Sequence, residues 1–196
     1  MGLKSIRQKC TTCGFDKMNV YIQPPGTRCS IHGTYLIAES AFSLDNPDPQ
    51  LGRVISDTYL IFDRIGQGGM GSVYKAVHLK LSRIVALKLI NTDVVDPSEV
   101  EMLTGRFEFE AKSLSSVVHR NIVTVFDYGE SEGDYYLVLE FVDGRTVSEV
   151  IKGDHTMSLR QSLELIYQLL DALTEVHSRG IIHRDLKPSN LMLDDR

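Results

Sequence analysis

His183-Arg184-Asp185-Leu186-Lys187-Pro188-Ser189-Asn190 is the stretch on which the reading of this 196-residue chain turns. Taken alone, it is a charged, proline-containing segment that a surface turn would also explain. Its setting argues for more. Upstream, Ser158-Leu159-Arg160-Gln161 has the S-x-x-Q form of a capping box. Leu159, Leu163, Ile166, Leu170, Leu173 and Val176 then recur every three or four residues, which predicts a long helix to about Arg179. Gly180 is expected to stop that helix as a left-handed cap, and Ile181 and Ile182, expected to be buried, introduce the octapeptide.

Further upstream, Leu60-Ile61-Phe62 leads into Gly66-Gln67-Gly68-Gly69-Met70-Gly71-Ser72-Val73, a G-x-G-x-x-G-x-V pattern. Glycines let a backbone turn sharply and approach phosphate oxygens, a property that more than one nucleotide-binding fold uses. A dinucleotide fold needs a helix directly after the loop. Here Val73-Tyr74-Lys75-Ala76-Val77 is β-branched and aromatic, and after a turn at Leu81-Ser82-Arg83 comes Ile84-Val85-Ala86-Leu87-Lys88-Leu89-Ile90. Two strands are predicted instead. Alternation places Ile84, Ala86, Lys88 and Ile90 on one face, and a lysine in so apolar a strand is costly unless its charge is paired. Lys88 is expected to have a partner.

These three stretches together resemble protein serine/threonine kinases of the bacterial, Hanks type. Val85-Ala86-Leu87-Lys88 is similar to the V-A-I-K strand of that family, and residues 183–190 match its catalytic loop H-R-D-L-K-P-x-N. The resemblance runs from about Tyr59 to Arg196. It implies an α+β, protein-kinase-like fold, with a five-stranded small lobe carrying one helix, followed by the first part of a helical large lobe. It also implies ATP and Mg2+ as cosubstrate and metal, and proteins bearing Ser or Thr as substrates.

On the family pattern, Ile65 and the loop residues Gly66, Gln67, Gly68, Gly69, Met70, Gly71, Ser72 and Val73 would cover the nucleotide. Val73 and Ala86 would lie on the adenine ring, with Met192 beneath it. Lys88 would hold the α- and β-phosphates while pairing with a glutamate of the next helix. Apolar Phe107, Ala111, Leu114 and Val118 predict that helix over 106–118, with Glu110 bordering the buried stripe and Glu108 pointing away. Glu110 is the expected partner.

His119-Arg120-Asn121-Ile122-Val123 resembles the turn H-P-N-I-V, with arginine in the proline position. Strands are expected over 124–128 and 135–141, with the turn in Gly129 to Gly133. By resemblance, Leu139 would guard the back of the adenine pocket and Glu140 to Val142 would form the hinge. Asp185 would accept the substrate hydroxyl's proton, Lys187 would neutralise the transferring phosphate and Asn190 would offer an oxygen to Mg2+. Arg184 would meet a phosphorylated activation loop and His183 would be structural. Lys187 also implies serine/threonine rather than tyrosine specificity.

No Asp-Phe-Gly follows the 191–193 strand before Arg196. The expectation is an incomplete kinase domain with little or no phosphotransfer activity by itself. A non-catalytic nucleotide- or partner-binding pseudokinase is the alternative.

The three cysteines form no even disulfide set. Cys10-Thr11-Thr12-Cys13 and Cys29-Ser30-Ile31-His32 instead give the spacing C-x2-C…C-x2-H. Cys10, Cys13, Cys29 and His32 would close a tetrahedral structural Zn2+ site in a zinc ribbon, whose short chain would depend on the metal for stability. A redox C-x2-C is the competing reading. The domains are accordingly expected at 1–37 (zinc-ribbon-like), 38–57 (linker, with Asn46-Pro47-Asp48-Pro49 at its centre) and 58–196 (kinase).

Composition bounds the rest. With 42% hydrophobic and 24% charged residues the chain is globular in type, and a formal charge of −5 gives no reason to expect nucleic-acid binding by the whole. Residues 1–36 run the other way, with five basic residues against Asp16 alone, which reads as a solvated basic face, contact with nucleic acid or an acidic partner being the alternative. No apolar run reaches membrane-spanning length and the N-terminus lacks a signal-peptide core, so a cytoplasmic location is expected.

Overall fold

The computed structural model describes residues 6–10, 16–19, 28, 35–38, 48–68, 71–90, 105, 108, 111–153 and 157–195, with backbone alone for 6–10, 16–19 and 38. Two compact units result. Met1–Glu108 with Asp127–Leu139 forms the first, and Phe109–Phe126 with Glu140–Arg196 the second.

Strands β1 (Ile6–Cys10), β2 (Asp16–Asn19) and β3 (Leu36–Ala38) begin the first unit as a small antiparallel sheet of order β2-β1-β3. A larger sheet follows, built from β4 (Val54–Ile55), β5 (Tyr59–Gly68), β6 (Gly71–His78), β7 (Arg83–Ile90), β8 (Val125–Ser131) and β9 (Asp134–Glu140). Its order is β4-β5-β6-β7-β9-β8. Five of these strands are the expected ones. The sixth, β4, comes from the stretch expected to be linker. Leu51 and Ile55 are buried there in one cluster with Tyr59, Ile61, Tyr74, Val85, Leu87 and Val138. Residues 48–57 are thus sheet and core rather than spacer, a role that a two-residue strand is too short to announce by alternation.

Ile37 of β3 is buried in that same cluster, and Tyr35 packs against a second one of Leu60, Phe62 and Val77. The N-terminal sheet therefore shares its core with the larger one.

The β8–β9 turn is narrower than expected. Glu132 (φ 54°) and Gly133 (φ 87°) make a two-residue left-handed turn, the kind that matches strand twist. Gly129 lies within β8, where a Cβ would come 3.0 Å from the Tyr136 hydroxyl. Its small size serves cross-strand packing.

In the second unit, helical residues 111–115 end in Ser115 and Ser116, whose hydroxyls donate back to the carbonyls of Lys112 and Ser113. The helix stops short of Val118, which is 79% exposed, and Val117 is buried in its place. The 3.6-residue phase does not continue past a helix end. Helices α1 (Val147–Lys152) and α2 (Leu159–Ser178) both carry full capping boxes, Thr146 with Glu149 and Ser158 with Gln161. Gly180 (φ 73°) is the left-handed cap, and the Ile181 N–H donates to the Val176 carbonyl at 3.0 Å. That bond draws half-buried Ile181 back onto the helix. Ile182, one residue on, is 65% exposed, contrary to expectation. Strands β10 (Gly144–Thr146) and β11 (Met192–Asp194) pair on either side of the catalytic-loop sequence.

Candidate active site

In the first unit the glycine sequence joins β5 to β6, with Gly66 opposite Val73, Gln67 opposite Ser72 and Gly68 opposite Gly71. Gly69 and Met70 lie outside the described residues. The three described glycines of the motif differ physically. At Gly71 (φ 134°) a Cβ would fall 2.0 Å from the Leu89 carbonyl oxygen, so the fold itself excludes a side chain. At Gly66 and Gly68 the nearest atoms would be 3.8 and 4.0 Å away, ordinary contact distances. The chain's own packing leaves room for a side chain at both.

Val73 on β6 is the register partner of Lys88 on β7, and Lys75 that of Ala86. Alternation puts Val73, Ala86 and Lys88 on one face, opposite the buried face of Tyr74, Val85, Leu87 and Leu89. Lys88 is half-buried, Ala86 buried, Ser72 half-buried, and Ile65 and Gln67 exposed. Glu110, the expected partner of Lys88, lies outside the described residues, while Glu108 is exposed as expected. Leu139 is half-buried near the end of β9.

In the second unit, the Glu140 N–H donates to the Thr124 carbonyl at 2.8 Å, and the Thr124 N–H to a Glu140 carboxylate oxygen at 3.4 Å. That use of the Glu140 N–H was not legible in sequence. Val142 is half-buried and Met192 is 39% exposed. The arginine in the proline position of the H-P-N-I-V-like turn has a structural use: Arg120 and His119 both contact the Asp171 carboxylate of α2, at 3.4 and 3.3 Å.

The catalytic-loop sequence is closed on itself. Asp185 donates its N–H to the His183 carbonyl at 2.8 Å, following Arg184 in a left-handed conformation (φ 60°) that L-residues adopt at a cost. Asn190, in a short 3-10 turn (Pro188–Asn190), donates through Nδ2 to the Asp185 carbonyl at 2.8 Å and to Asp185 Oδ2 at 3.0 Å. Lys187 Nζ reaches the same Oδ2 at 2.9 Å. These contacts, the Lys187 hydrogen bond first and Asn190 next, hold the Asp185 carboxyl below its usual range. The result is an exposed carboxylate with Oδ2 engaged and no contact at Oδ1 among the described residues. Because Asn190 spends its amide nitrogen on Asp185, the oxygen is the end it can offer a hard cation.

Cys13, Cys29 and His32 lie outside the described residues, and Cys10 is described only as the backbone end of β1. Among the described residues no group of three His, Cys, Asp or Glu is placed to hold a metal. No helix among them is long and apolar enough to cross a membrane.

The sheet, the glycine hairpin and the closed H-R-D loop define a protein-kinase fold, and comparison with known proteins agrees. The protein kinase domain family matches residues 59–196. The serine/threonine-protein kinase PrkC of Bacillus subtilis (strain 168) is 38% identical over 144 residues, 74% of this chain and 22% of its own. Serine/threonine-protein kinase PknB of Mycobacterium leprae (strain TN) is 38% identical over 144 residues, 71% of this chain and 22% of its own. Among solved structures, the PknI kinase domain of M. tuberculosis superposes with a TM-score of 0.64 at 24% identity, over 74% of this chain and 57% of that one, a likeness of fold. The chain belongs to the protein kinase family. It spans about a fifth of the length of the curated relatives it matches.

Proposed function

We propose that this chain contributes to an ATP-dependent protein serine/threonine kinase that transfers the γ-phosphate to Ser or Thr hydroxyls of protein substrates. The closed contact set of Asp185, Lys187 and Asn190 carries the reading. Phosphoryl transfer needs positioned charge more than covalent chemistry. The ionised Asp185 accepts the hydroxyl proton, and Lys187, already beside that carboxylate, neutralises charge on the transferring group. Asn190 supplies an oxygen to Mg2+, which when bound offsets phosphate charge. In the first unit, the bare Gly66 and Gly68 leave backbone N–H groups approachable by phosphate, Lys88 holds phosphate oxygens, and Val73 and Ala86 cover the base. Gly69, Met70, Ser72, Glu110, Leu139, Glu140, Val142 and Met192 complete the assignment by family pattern. Residues 1–196 contain no Asp-Phe-Gly, so the metal-holding carboxylate of the family is assigned to no residue of this stretch.

Titrating the 196-residue chain with a fluorescent ATP analogue and Mg2+ tests the nucleotide half. Saturable binding lost in Lys88→Met is expected, and binding that Lys88→Met leaves intact would overturn it. The catalytic half is tested by Asp185→Asn in the natural gene product, where phosphate transfer to a protein substrate should fall to background.

A zinc site at Cys10, Cys13, Cys29 and His32 is the second reading, favoured by the small sheet's register. Lys9 pairs with Asp16 across the first ligand pair, Arg28 bridges Tyr35 across the second, and Cys10 lies opposite Leu36. The described residues that flank each ligand pair in sequence therefore meet antiparallel, which supports a ribbon reading of the C-x2-C…C-x2-H spacing. Atomic absorption should give one zinc per chain, lost in Cys29→Ser; a metal-free wild-type chain purified with zinc present would sink it.

A further inference from the structure

Residues 48–56 run along β5, with β4 as its antiparallel neighbour, and are fastened at both ends. At the far end the Arg53 guanidinium meets Glu132 at 2.9 Å and Asp134 at 2.8 Å, and the Ser56 N–H donates to Ser131 Oγ at 3.1 Å. In the middle the Gly52 N–H donates to the Ile61 carbonyl and the Ile61 N–H to the Arg53 carbonyl. At the near end Asp48, its side chain only 10% exposed, accepts from the Tyr74 hydroxyl at 3.2 Å and from Arg64 at 3.2 Å. It also accepts from the Gln50 N–H at 3.0 Å, which fixes the turn that starts the segment.

The residues Asp48 grips are a register pair. Arg64 on β5 lies opposite Tyr74 on β6, and β5 carries register shifts on both sides of it, between Ile61 and Asp63 and between Arg64 and Gly66. Each bulge bends and twists a hairpin and loosens its pairing. The Arg64–Tyr74 pair therefore stands between two weak points, with Gly66 beyond the second. One largely shielded carboxylate holds both strands there, at the pair that precedes Gly66 and Gly68. Tyr74 lies on the buried face, opposite Val73, Ala86 and Lys88. Asp48 thus acts from the side away from the proposed nucleotide face.

We propose that Asp48 is a positioning residue for the glycine loop, acting through Tyr74 and Arg64, and that the 48–56 segment is the strap that carries it. The consequence for nucleotide affinity rests on the nucleotide reading given above; the consequence for the hairpin does not.

Hydrogen–deuterium exchange and fluorescent ATP-analogue titration on the 196-residue chain separate the two, using wild type, Asp48→Asn, Tyr74→Phe and Arg53→Ala. Tyr74→Phe removes the hairpin contact without touching the strap's own turn. Arg53→Ala loosens the strap at the end away from the loop. Faster exchange in 64–74 is expected for Asp48→Asn and Tyr74→Phe, with nucleotide affinity weakened about three- to tenfold, the range for one contact of a polar network. Arg53→Ala should speed exchange near 131–134 and leave affinity close to wild type at a comparable loss of Tm. Unchanged exchange in 64–74 for both Asp48→Asn and Tyr74→Phe would overturn the proposal, as would equal affinity losses in all three variants at equal Tm. Faster exchange in a chain whose wild type binds no nucleotide would uphold the strap and overturn the nucleotide reading instead.

Discussion

Asn190 donates through one amide nitrogen to both the backbone carbonyl and the carboxylate of Asp185, at 2.8 and 3.0 Å. The side chain assigned to the metal by family pattern is also a brace for the assigned base. With Lys187 on the same carboxylate oxygen, the loop orders its charges through contacts among its own residues.

Lys187→Met should raise the pKa of Asp185. The Lys187 hydrogen bond is the largest cause holding that carboxyl down, so its loss moves the group toward the ordinary value of about 3.9. A carboxyl with a depressed folded pKa contributes stability above its unfolded pKa and loses it as pH falls through the folded value. The affected window therefore lies below about pH 4, and Asp185 stays ionised near neutrality in both proteins. Carbon-13 NMR titration of the aspartate carboxyls reads the shift directly; an Asp185 signal that titrates identically in both would contradict it.

Gly71→Ala and Gly66→Ala should separate folding from ligand binding. The first forces a Cβ against the Leu89 carbonyl at a backbone angle that L-residues avoid, and is expected to cost about 2–4 kcal/mol. The second meets only an ordinary contact and should change stability by about 0.5 kcal/mol or less while weakening nucleotide binding. Urea unfolding beside nucleotide titration gives both numbers.

Ile55→Ala should destabilise the first unit by about 2–5 kcal/mol, because the side chain is fully buried. A residue in a solvated linker would change stability by about 0.5 kcal/mol at most. Chemical denaturation with a probe in the sheet distinguishes the two.

Ser158→Ala should cost about 1 kcal/mol by removing the cap of α2, and Ser158→Gly less. Helical ellipticity during thermal melting is the readout.

The local motifs were legible because their physics is local. The capping box at Ser158, the left-handed Gly180 and the strand pair after the glycine loop depend on neighbours within a few residues. Errors arose where a contact outside the residue pattern decides. Val118 continues the apolar phase of 106–118, but serine back-bonding ends the helix before it. Gly129 is a turn residue by type, yet Tyr136 packing keeps it in a strand.

Sequence alone determined the family, the order of Lys88, Asp185, Lys187 and Asn190, and the spacing of the cysteines, since each is a fixed offset along one chain. Only the tertiary structure decided that 48–57 belongs to the sheet, that Ile37 shares the core of the larger sheet, and that Asp48 holds the hairpin behind the glycine loop. Those contacts join residues far apart in sequence, and burial of a carboxylate or an isoleucine is a property of what surrounds it, which no short window of residues records.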